Sequence, residues 1–282
     1  MTYLDLYKIS GSLNIDDNLC FQDQTTYPKF QTDFIKFQNH LIELVNNQTP
    51  TTFYKFGDGD YHFLIKNPVG SACPGNRALS VSYDDLDHQL FTTNAQKCDY
   101  YTCEIYPENR NMFSKVINQN IDYPAEYSYG LIANKWLFHQ FKGKIGLIGA
   151  SEKLYLIQEL LTYPEYQNYL GIDSFNDYIH FPQKFAADDP KLVENFVGEQ
   201  LKNSTSDIFL LGIGHSKSAI LCNFPKYKKA VYLDVGAGID YIAGCVKNSR
   251  PYAGDWVNYR IPNYDYSNID YMNYDYSNQK FL

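Results

Sequence analysis

At 282 residues, with 44% hydrophobic and 20% charged side chains, the chain has the balance of a globular protein with one large core or two small ones. A net charge of −8 leaves no basic stripe to neutralise phosphates, which argues against general nucleic-acid binding. The six cysteines (Cys20, Cys73, Cys98, Cys103, Cys222, Cys245) form no C-x-x-C pair, which argues against structural zinc and against a disulfide framework.

Aromatic content is the outlier at 17%, with 27 Tyr and 18 Phe. Tyrosine offers stacking surface to sugars and bases, although an AT-rich genome, viral or bacterial, produces the same bias. Residues 1–14 show no signal-peptide pattern. No apolar run approaches the roughly 20 residues of a membrane span. The expectation is a soluble protein of a reducing compartment, the cytoplasm (the host's, if the chain is viral).

Residues 1–27 are polar and irregular and read as an N-terminal arm. Phe30, Phe34, Phe37, Leu41, Leu44 and Val45 recur at helical spacing and predict a helix over Phe30 to Asn46. Thr52 to Phe56 then reads as a short buried strand ending in Gly57. Asp58 and Asp60 follow with one glycine between them. At a strand end such carboxylates lean toward one point, and flanking glycines leave room for a bulky group. Two hard oxygen ligands beside open space suit Mg²⁺ or Mn²⁺ carrying waters and a diphosphate. The competing reading is an Asp-Gly turn capping a hairpin.

His62 to Ile65 opens a helix in which His62 is read as structural. Asn67 to Ser80 is a loop carrying Arg77, placed either to clamp a phosphate or to pair with Asp84, Asp85 and Asp87. Tyr83 to Ala95 reads as a helix with Leu86 and Leu90 inward. Asp99 to Ile105 reads as a strand, and Met112 to Ile117 and Ser128 to Phe141 as helices. The second half repeats a rhythm. Lys144 to Gly149 is a strand running into a helix through Leu161, with Ser151 as N-cap. Ile179 to Phe181 is another strand, and a helix runs from Pro190 to about Leu201. Asp207 to Gly214 is a third strand, followed by a helix from His215 to Cys222. Ala230 to Leu233 closes the series at Asp234. Strands alternating with helices predict an α/β fold, a Rossmann-like and mostly parallel sheet flanked by helices, with a crevice at the strand C-ends. The α/β body spans 28–250, before a tyrosine-rich tail over 251–282. That tail repeats Asn263-Tyr-Asp-Tyr-Ser-Asn268 as Asn273-Tyr-Asp-Tyr-Ser-Asn278 and reads as an extended arm on the body or on a second subunit of a homodimer.

Lys55-Phe56-Gly57-Asp58-Gly59-Asp60 resembles the Arg-Phe-Gly-Asp-Gly-Glu signature of the GT-D glycosyltransferases. Lys55 replaces the arginine and keeps its charge without its bidentate fork. Asp60 replaces the glutamate, one methylene shorter. The resemblance spans roughly Thr51 to Tyr241, strong at the acidic motif and diffuse elsewhere. It implies a metal-dependent transferase that takes a nucleoside-diphosphate sugar, UDP-linked in the first instance, and a glycan or protein-glycan acceptor. Asp58 and Asp60 would hold Mn²⁺ or Mg²⁺. Lys55, Gly57, Arg77, Gly149, Ser151, Gly212, Gly214, His215, Ser216 and Lys217 would line the nucleotide-sugar site. Asp234 is the candidate base if the reaction inverts.

Three other motifs compete. Leu233 to Gly238 looks like the first motif of S-adenosylmethionine methyltransferases, which would require a permuted fold because only 44 residues follow Gly238. Gly214-His-Ser-Lys-Ser218 looks like a nucleophile elbow, but no histidine follows His215 to complete a Ser…Asp…His order. Gly212-Ile-Gly214 lacks the third glycine of a dinucleotide fingerprint. An inactive sugar-binding module and a glycosidase are the remaining alternatives.

Overall fold

A computed structural model describes residues 30–66, 86–103, 107–183, 186–245, 256 and 259–266, apart from the side chains of 30–32, 58 and 107–109. Arg77, Asp84 and Asp85, the arm over 1–27 and the second tyrosine repeat lie outside the described residues.

The chain opens with helix α1 (Phe30–Asn46), whose predicted apolar stripe is the face it buries: Phe34, Phe37, Leu41, Leu44 and Val45. There follow β1 (Thr51–Phe56), α2 (Asp58–Leu64), α3 (His88–Ala95), β2 (Tyr100–Cys103), α4 (Pro107–Val116) and a two-residue β3 (Tyr123–Pro124). Next come α5 (Ala125–Ala133), α6 (Trp136–Gln140), β4 (Ile145–Ala150), α7 (Ser151–Leu160), α8 (Pro164–Leu170) and β5 (Asp177–Phe181). The last elements are α9 (Pro190–Lys202), β6 (Ile208–Gly212), a 3₁₀ turn (Gly214–Ser216), α10 (Lys217–Ile220), a second 3₁₀ segment (Leu221–Lys226), β7 (Val231–Asp234) and α11 (Gly238–Ile242).

The strands form one seven-stranded sheet in the order β3-β2-β1-β7-β6-β4-β5, and every pairing is parallel. The predicted α/β architecture therefore holds. Strands β1, β4, β6 and β7 are buried along their whole length, as expected when helices cover both faces of a parallel sheet. On one face α1, α5, α6, α7, α8 and α11 pack around Phe53, Leu147, Leu210 and Leu233. On the other, α2, α3, α4, α9 and α10 pack around Tyr54, Phe56, Ile148, Phe209 and Leu211.

Several boundaries differ from those read in the sequence, each for a local reason. The span from Ser128 to Phe141 is two helices, because Lys135 takes a left-handed φ of 62° between them. Leu90 faces outward and Phe91, Asn94 and Ala95 face inward, since α3 begins only at His88, capped by the Asp87 carboxylate. Ala150, not Ser151, is the N-cap of α7; Ser151 is its first helical residue. Helix α8, helix α11 and strand β3 carry too few residues for a periodicity to show.

His40 on α1 illustrates how the aromatic excess is used. Its Nδ1 lies 2.8 Å from the Tyr123 hydroxyl, and its ring packs edge-on to Tyr100 at 4.9 Å. Burial lowers its pKa from the ordinary 6.5, against the pull of Glu43 and Asp122. The unfolded chain therefore binds this proton more readily than the folded one. Its contribution is complete above 6.5 and is lost as pH falls through the folded value. His40→Gln should show a shallower fall in Tm on acidification than the native chain; equal slopes would contradict this reading.

Candidate active site

The carboxyl ends of β1, β7, β6 and β4 lie side by side. From them the chain leaves toward alternating faces: β1 to α2 and β6 to α10 on one, β7 to α11 and β4 to α7 on the other. Such divergence opens a crevice beyond the strand ends, where open α/β sheets bind ligands.

Four charged side chains are buried together there: Lys55, Asp60, Lys217 and Asp234. The acidic motif reaches this place through a helix start. Helix α2 starts at Asp58, directly after Gly57, so Asp60 is its third residue rather than part of an extended strand end. There its Oδ2 accepts from the Gly57 backbone N–H at 3.0 Å, which closes the helix start. The side chain of Asp58 lies outside the described residues.

Lys217 opens α10, and its ammonium has an acceptor for each of its three protons. Asp234 Oδ2 is at 2.6 Å, Asp60 Oδ2 at 3.1 Å and the Lys55 carbonyl oxygen at 2.5 Å. The Tyr54 ring lies under it, with 5.0 Å from Nζ to the ring centre. Burial opposes the charge of Lys217, but Asp234 and Asp60 outweigh it and raise its pKa above the ordinary lysine value of 10.5. Lysine here is an internal cation, spent on the protein.

Asp234 is filled in the same way. Its Oδ1 accepts from the Gly236 N–H at 2.9 Å, and its Oδ2 accepts from the Lys55 N–H at 3.2 Å besides Lys217. Only 2% of Asp234 is exposed. The carboxylate expected to act as base is thus an anchor for Lys217, closed to an acceptor hydroxyl. The Tyr54 hydroxyl donates to Asp60 Oδ1 at 3.2 Å and so receives its 2.8 Å bond from the Ser218 hydroxyl. Burial, then Asp60, raises the Tyr54 pKa, which keeps that proton in place.

Lys55 is the second buried cation of the cluster, 9% exposed beside the ends of β1 and β7. Among the described residues no carboxylate oxygen lies within 4.0 Å of its ammonium. The ring of Tyr129 is 5.1 Å away. Burial opposes the charge of Lys55, but Tyr129 and Asp234 raise its pKa. Its Nζ sits 3.9 Å from where a Cβ would stand on Gly57 and 3.4 Å from where one would stand on Gly236. Gly236 has a φ of +50°, a conformation that favours glycine.

The other predicted glycine contacts have a different cause. A Cβ on Gly212 would stand 2.6 Å from the Gly236 carbonyl oxygen and 2.9 Å from Ile239 Cγ1; one on Gly149 would meet Ile239 Cγ2 at 3.3 Å. Both glycines let α11 sit against the strand ends. Gly212→Ala should cost about 1–3 kcal/mol, because a backbone oxygen cannot swing aside. Gly57→Ala, with ordinary contacts at 3.8 and 3.9 Å, should be nearly neutral. Equal losses in urea denaturation would contradict this assignment. Gly214, at φ +61°, turns the chain into the 3₁₀ segment; His215 stacks on Phe63 with ring centres 4.7 Å apart, and Ser216 is fully buried. Ser151 stands at the start of α7, at the C-end of β4.

Between Asp60 and Asp234 the described residues do not fit a divalent cation; the expected Asp58–Asp60 metal pair lies outside the described residues, with the Asp58 side chain. Each oxygen of Asp60 and Asp234 already accepts from a donor, and the space between the two carboxylates holds the Lys217 ammonium. Among the described residues no group of three or more His, Cys, Asp or Glu is placed to hold a metal. Nor is the Gly236–Gly238 turn open to a cofactor in the manner of the methyltransferase motif: Lys55 packs on Gly236, and Val235 and Ile132 pack on Gly238.

Tyr54 and Tyr129 carry no motif in the sequence, and Ser218 stands there only as the last residue of the elbow-like run from Gly214. Alternation along β1 places Tyr54 on the face opposite Lys55 and was a usable signal for the first. Among the described residues no helix is long and apolar enough to cross a membrane. The chain matches no protein-family model, no curated protein and no solved structure.

Proposed function

We propose that this chain is a glycosyltransferase that binds a nucleoside-diphosphate sugar, UDP-linked in the first instance, beyond the ends of β1 and β7. The observation that carries the reading is the Lys55 ammonium, held between two glycine turns at the ends of β1 and β7 with no carboxylate of its own within 4.0 Å among the described residues. The motif resemblance at Lys55 to Asp60 points the same way. A diphosphate leaving a sugar accumulates negative charge on its bridging oxygen. A fixed cation in a water-poor site stabilises that charge without reorganising. Lys55 supplies it, and Tyr129 orients it. Asp60, Lys217 and Asp234 form the rigid base on which Lys55 stands, through the Lys55 carbonyl and amide.

The test is release of UDP from a panel of UDP-sugars, with and without glycan acceptors. The native chain should turn over at least one donor, and Lys55→Met should lower kcat/KM roughly a hundredfold. A native chain that turns over no UDP-sugar but binds one would be a binding module instead. A chain that neither binds nor turns over any of them would overturn the reading.

A further inference from the structure

We infer that Lys217 is the cation that Asp60 and Asp234 share where a metal could stand, and that the site handles a nucleoside diphosphate without a divalent metal. This rests on the nucleotide-sugar reading above and adds to it how the charge is met.

Asp60 and Asp234 approach one another only through the Lys217 ammonium, which contacts both and caps the Lys55 carbonyl. These are the contacts by which a metal bound to two carboxylates and a backbone oxygen would be recognised, made here by a side chain. The ammonium is held in place. Lys217 is 5% exposed, the Tyr54 ring closes one side, and Ser216 and Ser218, next to it in the chain, are fully buried.

Charge balance leads to the same division of labour. Among the described side chains two aspartates and two lysines are buried in the cluster, and their formal charges cancel. A divalent cation entering it would face two ammonium groups. To reach Asp60 and Asp234 it would have to expel Lys217, leaving a buried lysine without a counter-charge, which is the costly outcome. A diphosphate arriving at a neutral cluster meets no such barrier. Lys55, whose ammonium lies between Gly57 and Gly236 and hydrogen-bonds to Tyr129 rather than to a described carboxylate, is the cation available to meet it.

The experiment has two arms on the full chain. In the first, UDP binding is measured by calorimetry in EDTA and in Mn²⁺. Equal affinity in both supports the inference, and Lys55→Met should then weaken UDP roughly tenfold or more in either buffer. Binding that appears only with Mn²⁺ overturns the inference and leaves the nucleotide-sugar reading standing. No UDP binding in either buffer overturns that reading and the inference with it. The second arm needs no ligand and reads Tm against Mn²⁺ or Mg²⁺ concentration. The native chain should show no shift, whereas Lys217→Ala, with its two carboxylates freed of the ammonium, should be stabilised by the metal. If Lys217→Ala does not fold, Lys217→Met preserves the volume for the same titration. A native Tm that rises with metal as much as the variant's overturns the inference.

Discussion

Replacing Lys217 with alanine is expected to cost about 3–5 kcal/mol of folding stability, because it strands two aspartates that are both nearly inaccessible to water. That is a large share of the roughly 5–15 kcal/mol by which domains are stable. The loss comes from the uncompensated charges, not from the missing methylenes alone. Lys217→Met combined with Asp234→Asn should therefore recover part of what Lys217→Met loses, a coupling that a double-mutant cycle in urea would measure. The sign with pH is fixed as well. Because the lysine pKa is raised in the fold, its contribution is complete below 10.5 and is lost only as pH rises through the folded value. Neutral pH should leave it intact. A cost below about 1 kcal/mol for Lys217→Ala would place the pair in the class of exposed, weakly coupled ions and contradict the buried cluster.

Trp256→Ala should be comparably damaging, at about 3–5 kcal/mol. Trp256 is fully buried and packs edge-on to Tyr169 at 5.2 Å, with Phe138 and Tyr166 at 6.2 and 6.4 Å. Just beyond it, Tyr259 stacks on Tyr169 at 3.9 Å, and Lys135 lies over that same Tyr169 ring at 3.7 Å. The first tyrosine repeat continues this attachment: Tyr264 donates to Glu152 at 3.3 Å, and the Tyr266 hydroxyl accepts from the Ile261 N–H at 2.8 Å. A chain ending at residue 250 should consequently melt well below the full chain, with exposed apolar surface. Equal Tm values for the two would return residues 256 and 259–266 to the status of a loose arm.

The architecture was legible because it depends on local pattern. Short apolar runs such as Ile145 to Ala150 and Ile208 to Gly212, each followed by a helix, leave few arrangements besides a parallel sheet. The place of the candidate site was legible for the same reason, since Gly57 follows β1, Asp234 ends β7 and Lys217 opens the helix one turn beyond β6. The partnership of Asp60 was not. Spacing tied it to Asp58, two residues away, whereas its cation comes from Lys217, a partner that only the pairing of β1 with β7 and of β7 with β6 brings near. Glycines misled in a similar way. Gly149 and Gly212 resemble phosphate-loop glycines by position, but the volume they leave is filled by Ile239 from α11, a helix of five residues. Trp256, one large residue in a polar tail, gave no periodicity from which its burial follows.

The most direct measurement is saturation-transfer NMR of UDP with the native chain and with Lys55→Met, after both are shown to melt at the same temperature. Transfer to the uridine and ribose protons of UDP is expected with the native chain, with its loss or marked weakening in the variant. Transfer of equal strength in both would mean that the nucleotide binds away from the β1–β7 crevice. Absence of transfer with the native chain would contradict the nucleotide-sugar account itself.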